Sequence, residues 1–141
     1  MLAGFFVTVI LILPLVLTPG VEPSQFGNSL SMTVRISNHN PFMPLTDVEY
    51  TCEVWHVMLA TGDEVTDANV LSRGSLQKFD GRQAITAPCE TAYIVNAPIK
   101  AAEYRLTLTY RTYPWLQHRT SVYHIAAQID GSGRVTGWAL N

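Results

Sequence analysis

Between residues 100 and 113 the chain reads KAAEYRLTLTYRTY, in which Tyr104, Leu106, Leu108 and Tyr110 alternate with Arg105, Thr107, Thr109 and Arg111. Successive side chains of a strand point to opposite faces, so a strict period of two with one apolar set predicts a strand with one face buried. The same period recurs at 29–37, where Leu30, Met32, Val34 and Ile36 alternate with Ser31, Thr33 and Arg35. It appears again at 46–59, which sets Val48, Tyr50, Cys52 and Val54 against Glu49, Thr51 and Glu53. Past the N-terminal apolar run, no window has the 3.6-residue period of a helix. The chain is therefore expected to be all-β.

Turn chemistry divides these runs. The segment NHNPFMPL (38–45) is a turn cluster, TGDEVTDAN (61–69) an exposed acidic loop, and Asp80-Gly81 a turn leading to Cys89. One or two short strands are expected around Gly74, and a short apolar run covers 93–95. A final hairpin pairs TSVYHIAAQI with RVTGWAL across Asp130-Gly131-Ser132-Gly133. Short strands separated by turns, with Cys52 pointing inward, predict a β-sandwich of about seven strands.

The N-terminus is of another kind. Residues 2–17 are apolar except for Thr8. At about 16 residues the run is shorter than the roughly 20 that span a bilayer as a helix, and Pro14 would kink one. That length suits a signal peptide. The flanks suit it less well, because the first basic residue is Arg35 and only Thr18-Pro19-Gly20 resembles a cleavage site. Residues 1–20 are thus read as either a signal peptide or an uncleaved apolar membrane anchor, residues 21–28 as a linker, and 29–141 as the sandwich domain. A pilin-like leader lacks its early glutamate, since Val9 stands there. The chain carries 14% charged residues and a net charge of -2, and it has no Lys or Arg cluster, so nucleic acid is not expected as a partner. The two cysteines, Cys52 and Cys89, follow an export-like N-terminus and read as one disulfide in a periplasmic or extracellular domain; the other reading is two buried free thiols.

The run Ala102-Glu103-Tyr104-Arg105-Leu106 resembles the tyrosine corner of immunoglobulin-like domains, where a Tyr near the start of a late strand anchors its hydroxyl to backbone across the corner. The resemblance covers roughly residues 29–140 and implies an immunoglobulin-like sandwich. The chain departs from the antibody pattern where Leu106 replaces the second Cys. No Trp occupies the mid-chain core position, and Trp55 follows Cys52 by only three residues. Because Cys89 lies upstream of the Tyr strand, a Cys52–Cys89 bridge is not expected to be the usual inter-sheet one. The run from Pro88-Cys89 to Gly137-Trp138 also resembles small exported bacterial proteins, a resemblance that implies no activity.

Catalytic chemistry finds little support. His39, His56, His118 and His124 form no ligand pair at strand or helix spacing, and neither Cys pairs with His or stands in a CxxC run, so no metal or other cofactor is expected. Asp63, Glu64 and Asp67 lack the spacing of a calcium loop. Glu49 and Glu53 share a strand face about 13 Å apart, too far for a retaining carboxylate pair. Asp130–Gly133 has no helix behind it to receive a phosphate. The chain is read as noncatalytic. The candidate interaction residues are Tyr113, Trp115 and Leu116 in the loop after the Tyr strand, with Phe42 and Met43 in an earlier loop. Aromatic side chains there either meet a protein partner or fold back to cap the core. Partners are expected to be proteins, either a membrane complex or copies of the same chain. The leading expectation is an accessory or structural subunit or binding module of a larger assembly, and the alternative is a secreted filament subunit that assembles by strand addition.

Overall fold

The structure, a computed structural model, describes residues 18–25, 30–39, 44–66, 70–79, 81, 83–89, 98–112 and 117–141. These residues are all-β. Their strands are β1 (Gly20–Gln25), β2 (Met32–Ser37), β3 (Leu45–Leu59), β4 (Glu64–Thr66), β5 (Val70–Phe79), β6 (Ala84–Cys89), β7 (Ile99–Thr112), β8 (Gln117–Ile129) and β9 (Val135–Leu140). Two antiparallel sheets result. The smaller has the order β1-β2-β6, and the larger runs β4-β3-β7-β8-β9 with β5 also paired to β3.

The inner faces are supplied by the alternation visible in the sequence. Met32, Val34 and Ile36 of β2 lie fully buried, as do Tyr104, Leu106 and Leu108 of β7. Val48, Cys52 and Val54 complete the centre from β3, with Ile125 from β8 and Trp138 from β9. Burying such side chains contributes about 1.5–3 kcal/mol each, which is why the apolar phase of each strand selects its face.

Among the described residues, three side-chain links run between the two layers. A disulfide joins Cys52 on β3 to Cys89 on β6, with the Cα atoms 5.9 Å apart. The bridge ties the two layers, because β6 pairs with β2 and so belongs to the smaller sheet, and neither cysteine stands on the Tyr strand β7 that carries the usual bridge. The Tyr104 hydroxyl donates a 2.6 Å hydrogen bond to the Leu30 carbonyl, 74 residues upstream and just ahead of β2. That acceptor lies by the opposite sheet, whereas the tyrosine-corner resemblance implied a partner across its own corner. The Tyr123 hydroxyl reaches the Pro19 carbonyl at 2.6 Å. The aromatic partner of Tyr104 is Trp138, edge-on at 4.9 Å and 71°, so the core indole enters from the last strand.

The strand number exceeds the expected seven for two local reasons. Residues 21–25, read as linker, belong to β1, which pairs with β2 and buries Val21. Part of the acidic loop, Glu64–Thr66, pairs with β3 as β4. The segment around Gly74 is a single strand, paired with β3 along its length, and Tyr50 of β3 lies against Gly74 where a side chain would otherwise stand. The apolar run 2–17 and the short run 93–95 fall outside the described residues.

Candidate binding face

Among the described residues, the outer face of the larger sheet carries Trp55 and a set of paired charged and histidine side chains. Its shape follows from β3. In the pairing of β3 with β7 the register shifts between Thr46 and Glu49 and again between Val54 and His56. Asp47, at φ 49°, is the one described non-glycine residue with positive φ. A bulge adds a residue, bends the strand and increases its twist, so β3 is bent at both ends of the segment 49–53.

At the second bulge Trp55 turns outward and stays 45% exposed. The Arg105 guanidinium lies over its ring, 4.2 Å from the centroid, and is itself ion-paired to Glu53. His124 meets the same indole edge-on at 6.2 Å, with its Nδ1 3.1 Å from Glu103 Oε1. Beside this group His56 Nδ1 sits 2.7 Å from Glu64 Oε1. Arg is suited to this position because its planar cation stacks on an indole while its N–H groups serve a carboxylate. The result is a rigid aromatic platform with one side facing water.

The first bulge forms a smaller group. Asp47 Oδ2 is ion-paired with Arg111, 3.2 Å from its Nε, while that Nε–H donates to His118 Nε2 at 3.0 Å. Between the two groups lies a shallow hollow of about 510 Å³ floored by β5, β3 and β7.

Buried phenols respond as burial requires. Burial pushes the Tyr104 hydroxyl well above the ordinary phenol range, and it also raises Tyr123. At the β8–β9 turn the Asp130 carboxyl is held below the usual range by the Ser132 hydroxyl and by the Arg134 backbone N–H.

Cys52 and Cys89 are brought together, and Tyr104 is placed at the sheet-to-sheet contact. Tyr113, Trp115, Leu116, Phe42 and Met43 lie outside the described residues. Three of the four histidines, His56, His118 and His124, share the outer face, each paired with a different side chain. Among the described residues no group of three or more His, Cys, Asp or Glu could hold a metal ion. The Trp55 platform was missed from sequence, although a signal exists. The sequence places two valines, Val54 and Val57, three apart in one strand run, and for both to be inward, as they are in the structure, a bulge must lie between them. No model of a known protein family matches the chain, and no curated protein matches it either.

Proposed function

We propose that this chain is a noncatalytic, immunoglobulin-like extracytoplasmic binding module, an accessory or structural subunit that residues 1–17 deliver to or hold at a membrane, whereas Pro19 and Gly20, expected to belong to that segment, stand in the folded domain. Its protein partner docks on the outer face of the larger sheet around Trp55. The observation that carries the reading is the half-exposed Trp55 ring, clamped by Arg105 and flanked by His124. Trp and Arg are the residue types that dominate interface energetics, and a ring already held in place loses little entropy on docking. The Cys52–Cys89 bridge supports an oxidising compartment.

The test is the size of the complex extracted from native membranes under mild detergent. The wild-type chain is expected in an assembly well above its own 15.6 kDa. The folded Trp55→Ala variant is expected to release as the single chain. A wild-type chain that runs alone, or a Trp55→Ala assembly of unchanged size, overturns the reading. Removing residues 1–17 keeps Pro19 and β1 and is expected to abolish membrane association; retention would remove the anchor from the proposal. Alkylation before and after reduction tests the compartment, with two freely alkylated thiols as the contrary result.

A second reading, a filament subunit that grows by strand addition, is favoured by the edges of the larger sheet. Pro23 and Pro88 interrupt the two edge strands of the smaller sheet, whereas β4, β5 and β9 of the larger one carry no proline. It requires SDS-resistant polymers that increase with concentration, and a purified chain that stays monomeric when concentrated rules it out.

A further inference from the structure

The hollow between the two bulges of β3 has a chemistry distinct from its rims. Its side-chain lining is Glu49, Thr51, Arg73, Ser75, Thr107 and Thr109. The pairing places these residues in two cross-strand rows, Arg73-Thr51-Thr107 and Ser75-Glu49-Thr109. At the rims the charged side chains are engaged with one another, Asp47 with Arg111, Glu53 with Arg105 and Glu103 with His124. In the floor, among the described residues, neither Glu49 nor Arg73 has an ion-pair or hydrogen-bond partner, and the four hydroxyls have none either.

We propose that this hollow is a binding site for a neutral saccharide. The donor and acceptor set selects that class. A guanidinium offers only donors, a carboxylate only acceptors, and each Ser or Thr hydroxyl offers both, which matches a ligand whose hydroxyls also do both. The charges of Arg73 and Glu49 cancel, so an anion meets a carboxylate in the floor and a cation meets a guanidinium. No aromatic or aliphatic side chain lines the hollow apart from the Thr methyls, which excludes an apolar ligand. The volume falls within the range of small-molecule sites, and the open side leaves one face of a sugar chain in water. Affinity is accordingly weak, on the order of millimolar. The site goes beyond the docking surface, since it shares no residue with the Trp55 platform.

The experiment is a backbone-amide NMR titration of the full-length, disulfide-bonded chain in a detergent without a sugar headgroup. The probes are cellotetraose, chitotetraose, maltotetraose and mannotetraose, each added separately. At least one is expected to give saturable shifts at residues 49–53, 73–75 and 107–109. Arg73→Ala and the near-isosteric Thr107→Val are each expected to weaken that binding about tenfold or more, while Arg35→Ala, on the outer face of the smaller sheet, binds as wild type. Trp55→Ala is expected to lose the membrane assembly and keep the sugar titration, which separates failure of this site from failure of the docking surface. No saturable shift with any of the four sugars, shifts that map elsewhere, or an Arg73→Ala variant with unchanged affinity overturns the proposal.

Discussion

Replacing Tyr104 by Phe removes one oxygen and leaves the ring, its edge-on contact with Trp138 and its place in the core. What is lost is the 2.6 Å hydrogen bond to the Leu30 carbonyl, one of the links between the sheets. A neutral hydrogen bond contributes about 1 kcal/mol net, and an acceptor left buried and unpaired costs about 1–3 kcal/mol. Part of that cost is offset because the phenol no longer has to be dehydrated, so the expected loss is about 2 kcal/mol. With a urea slope of about 1–3 kcal/mol/M for a domain of this size, the unfolding midpoint falls by about 1 M at unchanged slope. The same substitution has a signature in alkali. Burial raises the Tyr104 phenol above its unfolded value, so above pH about 10 the unfolded chain gives up this proton while the folded chain keeps it. Its contribution is therefore complete below pH about 10 and declines by up to about 1.4 kcal/mol per pH unit above it. The wild type should lose stability above pH 10 more steeply than Tyr104→Phe, measured by urea unfolding across pH 8–11. A variant within about 0.5 kcal/mol of wild type at pH 7, or parallel alkaline limbs, would refute the reasoning.

Four other outcomes are expected. The double substitution Cys52→Ala/Cys89→Ala releases a constraint across 37 residues and should cost about 4 kcal/mol in the chain-entropy model; calorimetry reads it, and a loss under about 1 kcal/mol contradicts it. At Gly74 a Cβ would stand 2.7 Å from Tyr50 Cζ, so Gly74→Val should destabilise by about 1–3 kcal/mol, and an unchanged urea midpoint would show that Tyr50 moves freely. A double-mutant cycle of Trp55→Leu and Arg105→Met should return a coupling of about 0.5–1 kcal/mol, with strict additivity as the negative result. Asp130→Ala removes the acceptor for the Ser132 and Arg134 amides, whose hydrogen exchange should speed up. Because the Asp130 carboxyl is held below its unfolded range, its contribution is present above that range and lost as pH falls through the folded value, so the variant should lack this part of the acid-induced loss of stability.

Strands with one buried face were legible wherever the period of two ran unbroken. Residues 104–110 and 32–36 gave both the strand and its inward side chains, and 48–54 put Cys52 in the core. The N-terminal strand was hidden because β1 has a single buried apolar residue, Val21, and a proline in its middle, so its local sequence carries a linker's composition. β4 has three residues, too few for any period to appear. The candidate face was hidden for another reason. A bulge reads locally as a lapse in alternation, and only its tertiary surroundings show that the lapse turns Trp55 onto Arg105. The disulfide was legible as a pair of cysteines, but which layers it joins depends on β6 pairing with β2, a contact set by residues 47 to 57 positions apart.

The link from Tyr123 to Pro19 joins residues 104 positions apart, and β1 lies alongside β9. A chain synthesised from its N-terminus presents β1 long before β7, β8 and β9, which complete its surroundings. Cys52 and Cys89 have both emerged while β7, β8 and β9 are still to come, so covalent closure can precede the packing of Tyr104 and Trp138. The smaller sheet then waits with one apolar face uncovered, in a topology of long-range pairings that folds slowly and exposes its edges to other chains. The core is thus completed only when β9 brings Trp138 onto Tyr104, and a chain lacking β9 would have the bridge available and the core open.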